Sequence, residues 1–337
     1  MRIVLAHAYF IGEDPAEANV MKPYPPLGLL YLSAFLKRQG FDVSVLDSTF
    51  MERDAFFAEL RDRRPQLVGI YATLMTRRNA LAIAARARAL GAKVVLGGPE
   101  PVNYAEEYLD AGADVVVAGE GEETLAELAP VLLDGGDLSR VAGIVFRAPD
   151  GALVRTPARA MLAKLDELPL PDREGIDLDR YVDTWRRHHG AGSVSLITAR
   201  GCPYTCRWCS HSVYGFSHRR RAPDNVADEL EYLKDRYAPD QVWYADDVFT
   251  INRRWFYQFA EELDRRNLRF PFETITREDR LNEKVVETLA AMGCYRIWVG
   301  AESGSQRVLD AMDRRTSAER MREMIALLQR HGIRAGT

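Results

Sequence analysis

Short apolar runs recur along the first part of the chain, at 3–6, 43–46, 67–72, 94–96 and 115–118. Between them lie longer stretches whose apolar positions repeat at helical spacing. Leu29, Leu30, Leu32 and Leu36 share one side of the first stretch, Phe56, Phe57 and Leu60 mark the second, and Leu81, Ile83, Ala84 and Leu90 mark the third. Apolar runs of strand length alternating with amphipathic helices predict a parallel sheet covered on both faces. A further helix is expected over 121–130. Two short β-like pieces, 144–146 and 153–155, flank Pro149, Asp150 and Gly151, which is hairpin chemistry.

Five strands in about 120 residues is the size of a flavodoxin-like, Rossmann-type domain, which binds ligands at the carboxyl ends of its strands. Those ends carry His7, Asp47, Thr73, the turn Gly97, Gly98, Pro99 and the turn Gly119, Glu120, Gly121, Glu122. Glycines there let a backbone approach a ligand closely; the ordinary alternative is that they only turn strand into loop. No G-x-G-x-x-G follows the first strand, which argues against a dinucleotide site. Asp47 invites comparison with a phosphoacceptor, but the glycine-lined ends fit that poorly. Residues 168–172 form a proline-rich connector, so the expected division is a first domain over 1–140, a linker with a small hairpin over 141–190, and a second domain over 191–337.

The second domain repeats the alternation. Strands are expected at 194–198, 241–245, 272–275, 295–300 and 333–336, with helices at 225–237, 254–266, 282–292 and 318–330. Polar residues fall just after successive strands: a cysteine loop after the first, Asp246 and Asp247 after the second, Thr276 and Arg277 after the third, Glu302 and Ser303 after the fourth. In a β/α barrel such positions share the catalytic mouth. The fold class is α/β: a flavodoxin-like sheet domain followed by a partial TIM-like barrel. Only five strands are counted, too few to close a barrel, so the sequence reads as a barrel whose last part lies beyond residue 337.

Composition narrows the classes. Lys plus Arg is 45 and Asp plus Glu is 49, a net charge of −4 over 337 residues, so there is no basic excess to neutralise a nucleic-acid backbone. No run of 18 apolar residues is present, so no membrane span is expected, and the first residues read as a strand start rather than a leader, which makes a reducing cytoplasm the expected address. Three of the 4 cysteines, Cys202, Cys206 and Cys209, are spaced C-x3-C-x2-C. In a reducing compartment that cluster points to metal or redox chemistry rather than a disulfide. A zinc site wants four ligands, usually in two pairs; His211 could supply a fourth. An iron–sulfur cluster prefers thiolates, and three on a four-iron cube leave one iron open for chemistry. Trp208 could shield such a cluster or stack on a planar ligand, or only pack the loop. Cys294 is expected to be a buried bystander.

C-x3-C-x2-C with an aromatic residue before the last cysteine, placed after a first strand, resembles the radical SAM enzymes. The runs Thr198-Ala-Arg-Gly-Cys202, Trp243-Tyr-Ala-Asp-Asp247 and Gly300-Ala-Glu-Ser-Gly-Ser305 are similar to their cobalamin-dependent branch. Tyr24-Pro-Pro-Leu-Gly-Leu29, Val95-Leu-Gly-Gly-Pro99 and Val117-Ala-Gly-Glu-Gly-Glu122 resemble the B12-binding domains that precede such barrels. The resemblance implies a [4Fe-4S] cluster on Cys202, Cys206 and Cys209. It implies S-adenosylmethionine near Trp208, with Asp246 or Asp247 at its ammonium, Arg277 at its carboxylate, and Glu302 and Ser303 at its ribose or methionine part. It also implies cobalamin against Pro26, Leu27, Thr73, Gly97, Gly98, Pro99, Gly119, Glu120, Gly121 and Glu122. The Asp-x-His-x-x-Gly motif that supplies a histidine to cobalt is absent; His7 is a weak substitute.

The implied activity is reductive cleavage of S-adenosylmethionine and methylation of an unactivated carbon of a small-molecule substrate through methylcobalamin, with an electron donor such as flavodoxin or ferredoxin. Two alternatives stand beside it. One is an oxidative cyclase or rearrangement enzyme with the same cofactors, which residues 213–221 and the Ala-Asp-Asp-Val-Phe-Thr run also resemble. The other is a non-catalytic corrinoid-binding protein with a structural cluster. His218, Arg219, Arg220 and Arg221 could bind an anion or form a solvated turn before an Asp224 helix cap, and residues 185–189 are expected to be a surface linker helix.

Overall fold

The computed structural model describes residues 2–337 and divides into two compact units. The first comprises residues up to Leu162 together with Leu168–Leu178 and Ser212–Tyr214; the second comprises Ala163–Glu167, Asp179–His211 and Gly215–Thr337.

The first unit is built on strands β1 (Arg2–His7), β2 (Asp42–Asp47), β3 (Leu67–Tyr71), β4 (Lys93–Gly97) and β5 (Val115–Val117), followed by β6 (Ile144–Arg147) and β7 (Leu153–Arg155). Their order in the sheet is β2-β1-β3-β4-β5-β6-β7. The first five are parallel in the doubly wound 2-1-3-4-5 order, and the last two are antiparallel. Period-2 alternation explains the two cores. Val4 and Ala6 of β1, with Val68 and Ile70 of β3, join Phe56, Ile83 and Tyr108 on one face; Ile3 and Leu5, with Val43 and Val95, join Leu30, Leu36 and Leu128 on the other. The hairpin expected in a linker is therefore part of this sheet, because β6 pairs directly with β5 and buries Ile144 and Val145.

The second unit holds a five-stranded sheet of β8 (Ser193–Leu196), β11 (Gln241–Tyr244), β12 (Phe272–Thr276), β13 (Cys294–Val299) and β14 (Arg334–Gly336), with a two-stranded ribbon of β9 (Ala199–Arg200) and β10 (Arg219–Arg220). The five strands are all parallel and lie side by side in chain order, the arrangement of successive β/α barrel units. Their helices bury one stripe each. In helix Arg253–Arg265, Trp255, Phe256, Phe259 and Leu263 face inward, and the Asn252 side chain accepts from the Trp255 amide at 3.1 Å. Asn282 and Ser317 cap the next two long helices in the same way. Tyr244, Phe249, Phe259 and Phe272 form an aromatic layer, with Tyr244 stacked on Phe249 at 5.0 Å and edge-on to Phe272 at 5.1 Å. Helix Leu178–His189, expected as a surface linker, buries Tyr181, Val182 and Trp185 and leaves its basic end exposed. Among the described residues no helix is long and apolar enough to cross a membrane.

Candidate functional site

The cysteine loop leaves β9 and returns through β10, whose antiparallel pairing of Arg200 with Arg219 and Ala199 with Arg220 forms a stem. Gly201 opens the loop at φ +86°, and a Cβ there would fall 2.5 Å from the Ser217 carbonyl, so only glycine fits. The stem is anchored by Asp246. Its Oδ1 accepts from the Thr198 amide (2.7 Å) and the Ala199 amide (3.1 Å), and its Oδ2 accepts from the Thr198 hydroxyl. Arg220 lies 3.6 Å from the same oxygen, donates to Thr198 Oγ1 at 2.8 Å and to the Phe249 carbonyl at 2.9 Å, and rests on the Trp255 ring.

This corrects several expectations. Asp246 is 1% exposed and directed at the loop stem, so of the two carboxylates expected near a ligand ammonium Asp247 is the one left open. Its neighbour Asp247 is exposed; partial desolvation and the Asp246 charge push its carboxyl up, and His211 pulls it back down. His218–Arg221 is not a solvated turn. Arg220 and Arg221 are held inward, the latter paired with buried Glu229 and donating to the Ile197 carbonyl at 3.0 Å. The following helix is capped from Ala222 with Pro223 at its first position, and the Asp224 carboxylate accepts only from the adjacent Asn225 amide.

Within the loop, Cys206 is buried, Cys202 is half-buried and Cys209 is exposed. The Cys209 amide donates to the Cys206 carbonyl at 3.3 Å. Burial pushes the Cys202 and Cys209 thiols up, and both are raised further by the neighbouring thiols. Arg277 and Arg314 place their Nη1 atoms 3.7 and 4.0 Å from Cys206 Sγ. Three thiols on one loop beside two guanidiniums fit an anionic thiolate-bound cluster. Among the described residues no three His, Cys, Asp or Glu side chains are gathered closely enough to hold a single metal ion. His211, the alternative fourth ligand, lies tilted against Phe216 at 4.2 Å with Nε2 shielded and without a hydrogen-bond partner among the described residues. Cys294 is buried at the start of β13, burial pushes its thiol up, and it donates to the Arg296 carbonyl.

Arg277 was expected at a ligand carboxylate. It is instead 3% exposed, with Nε on Asp279 (3.0 Å), Nη2 on the Arg314 carbonyl (2.9 Å) and its plane on the Tyr204 ring (3.8 Å). Glu302 and Ser303 follow β13. Glu302 is exposed in a left-handed conformation, φ +57°, and lies 3.5 Å from Arg314. Trp208 is 53% exposed, so it does not pack the loop. Sequence reading missed the network on the sheet itself, where Trp298 Nε1 and Arg296 Nη1 converge on Glu273 Oε2 at 3.0 and 3.2 Å. Arg296 and Trp298 flank buried Ile297 on β13, a period-2 signal of a partly open sheet face, and the Glu273 they meet is itself buried.

In the first unit, Thr73, Gly97, Gly98, Pro99 and Gly119 sit half-exposed at the carboxyl ends of β3, β4 and β5. Gly98 has φ +115° and a Cβ there would meet the Ala72 carbonyl at 2.4 Å; Gly119 has φ +93° with nothing nearer than 3.8 Å. Leu74 and Met75, not singled out from sequence, project beside Thr73 at 71% and 78% exposure. These strand ends present half-exposed backbone beside two exposed apolar side chains. Other expected contacts are otherwise engaged. Pro26 is buried at the start of helix Leu27–Arg38, and Leu27 packs on the core. The Glu120 carboxylate accepts from the Leu162 amide at 2.9 Å, Glu122 is buried, and Gly121 packs near Leu32. Asp47 is no phosphoacceptor, since it binds His7 Nδ1 (3.0 Å) and the Thr49 amide and hydroxyl.

Residues 16–129 match the B12 binding domain and residues 196–337 match the radical SAM superfamily. The chain carries a B12-binding domain followed by a radical SAM domain. An uncharacterized methyltransferase of Pyrococcus horikoshii is 28% identical over 92% of this chain and 68% of its own length. The anaerobic magnesium-protoporphyrin IX monomethyl ester cyclase of Rubrivivax gelatinosus is 29% identical over 99% of this chain and 61% of its own length. The structure of the radical SAM methyltransferase TsrM from Kitasatospora setae, with cobalamin and a [4Fe-4S] cluster bound, shares the fold at a TM-score of 0.79 and 22% identity, covering 99% of this chain and 65% of that one. The chain thus spans roughly two thirds of the length of these relatives.

Proposed function

We propose that this B12-binding radical SAM chain acts in an enzyme that cleaves S-adenosylmethionine reductively and methylates an unactivated carbon of a small-molecule substrate. The observation that carries the reading is the three-cysteine loop, pinned by Asp246 at the carboxyl end of the first strand of a parallel β/α sheet. Cys202, Cys206 and Cys209 would hold a [4Fe-4S] cluster. Exposed Asp247, Glu302 and Trp208, with half-buried Ser303, are the groups left to meet S-adenosylmethionine, since Asp246 and Arg277 are engaged within the fold. Thr73, Gly97, Gly98, Pro99 and Gly119, with Leu74 and Met75, would receive cobalamin. When bound, the cluster supplies the electron for cleavage and cobalamin serves as methyl carrier; the protein orients both and excludes water. A flavodoxin or ferredoxin would supply electrons, in the reducing cytoplasm.

Oxidative cyclisation is the second reading, supported by the likeness to the cyclase over 99% of the chain. The test is anaerobic incubation of the reconstituted protein with S-adenosylmethionine, a strong reductant and candidate acceptors. S-adenosylhomocysteine with a product one methyl heavier supports transfer. 5′-Deoxyadenosine with a cyclised product of unchanged carbon count supports cyclisation and overturns transfer. Reconstituted protein that forms neither S-adenosylhomocysteine nor 5′-deoxyadenosine is a corrinoid binder with a structural cluster.

A further inference from the structure

Cys206 differs from its two neighbours in its surroundings. It is 6% exposed, whereas Cys209 is open to solvent, and two buried guanidiniums point at its sulfur. The other polar atoms of both arginines are committed elsewhere. Arg277 spends Nε on Asp279 and Nη2 on the Arg314 carbonyl, and stacks on Tyr204. Arg314 spends Nε and Nη2 on the Gly300 carbonyl. In each case Nη1 is the nitrogen left over, and in each case it faces Cys206 Sγ, at 3.7 and 4.0 Å. The Arg207 amide donates to the Met312 carbonyl at 3.0 Å, which ties the same part of the loop to the segment carrying Arg314. Two side chains, one just past the end of β12 and one from the segment after helix Gln306–Ala311, each immobilised by its own acceptors, converge on one of three chemically equivalent thiols.

We propose that Arg277 and Arg314 are positioning residues that fix Cys206 as the electron-poor ligand of the cluster and raise the cluster's reduction potential. The inference rests on the reading of Cys202, Cys206 and Cys209 as cluster ligands. Its physical basis is simple. Reduction adds a negative charge, and N–H donors and cationic groups at a ligand sulfur stabilise the more negative state. Burial strengthens the effect because little water intervenes. Asp279, on the far side of Arg277, opposes it by neutralising part of that charge.

Opposite charge changes should therefore move the potential in opposite directions. The full chain is reconstituted anaerobically with iron and sulfide, and the cluster is titrated with electron paramagnetic resonance readout. Arg277→Gln and Arg314→Gln are expected to shift the midpoint to more negative values, and Arg277→Lys to shift it less than Arg277→Gln. Asp279→Asn is expected to shift it to more positive values. Asp279 is partly exposed, and its variant keeps the proposal testable if an arginine variant fails to load the cluster. A purely structural role predicts no such sign reversal. An Asp279→Asn midpoint equal to, or more negative than, that of the wild type overturns the proposal. Absence of any cluster in the wild-type chain removes the ligand reading and this one together; a loaded cluster with unmoved potentials removes only this one.

Discussion

Asp246→Asn is the substitution on which the structural account is most exposed. The asparagine oxygen can still accept from the Thr198 and Ala199 amides, so the backbone bonds at 2.7 and 3.1 Å survive. The amide nitrogen then faces the Thr198 hydroxyl and Arg220, where a carboxylate oxygen stood. Arg220 loses its counter-charge while its side chain remains 6% exposed. Removing one partner of a buried ion pair costs about 3–5 kcal/mol. Arg220 retains Thr198 Oγ1, the Phe249 carbonyl and the Trp255 ring, which places the expected loss near the lower end, about 3 kcal/mol. The five tryptophans, at 185, 208, 243, 255 and 298, all lie in the second unit, so tryptophan fluorescence in urea reports that unit alone. The expected result is a lower midpoint with unchanged slope. Asp246→Asn within about 0.5 kcal/mol of the wild type would refute the stem assignment, because such a change is what a solvent-facing residue shows.

Three further outcomes follow from other parts of the molecule. Asp247→Asn should stabilise the chain at neutral pH, because the folded state raises this carboxyl and so disfavours its charge; the gain should vanish as pH falls through the folded pKa, and thermal melts across acid pH check the sign. Glu262, held down to about 2 by Arg265 and Arg266, stabilises the chain above its ordinary value and loses that contribution as pH falls toward about 2; Glu262→Gln should cost about 0.5–1 kcal/mol at pH 6 and nothing near pH 2, in urea melts at low salt. Gly98→Ala forces φ +115° on alanine against the Ala72 carbonyl and should cost about 2–3 kcal/mol, whereas Gly97→Ala, whose Cβ meets only Val117 at 3.9 Å, should stay near wild-type stability, as far-ultraviolet circular dichroism melts will report.

Where local pattern and tertiary packing agree, the sequence was readable. The ten parallel strands and most of their helices follow from apolar periodicity, and the cysteine loop from spacing alone. The misreadings share one cause, polar side chains drawn inward by partners far along the chain. Asp246 looked like a ligand group because it follows a strand, but it sits 48 residues from the Thr198 backbone it holds. Arg220 and Arg221 looked solvated because a basic run usually is; a two-stranded ribbon too short to show periodicity turns them inside. Arg277 had the right chemistry for a carboxylate and found Asp279, Tyr204 and Cys206 instead. The hairpin at β6 and β7 was legible, but its attachment to β5 was not, because antiparallel pairing across some 27 residues leaves no local mark. Leu74 and Met75 escaped notice because two exposed apolar residues in a loop carry no period.

The account stands most directly on what Cys202, Cys206 and Cys209 hold. The measurement is Mössbauer spectroscopy of the chain reconstituted anaerobically with iron-57 and sulfide, for the wild type and for Cys202→Ala, Cys206→Ala, Cys209→Ala and Cys294→Ala. The account predicts one four-iron cluster in the wild type and in Cys294→Ala, and its loss in each of the other three. A cluster that survives any of those three substitutions, or is lost with Cys294, would contradict it.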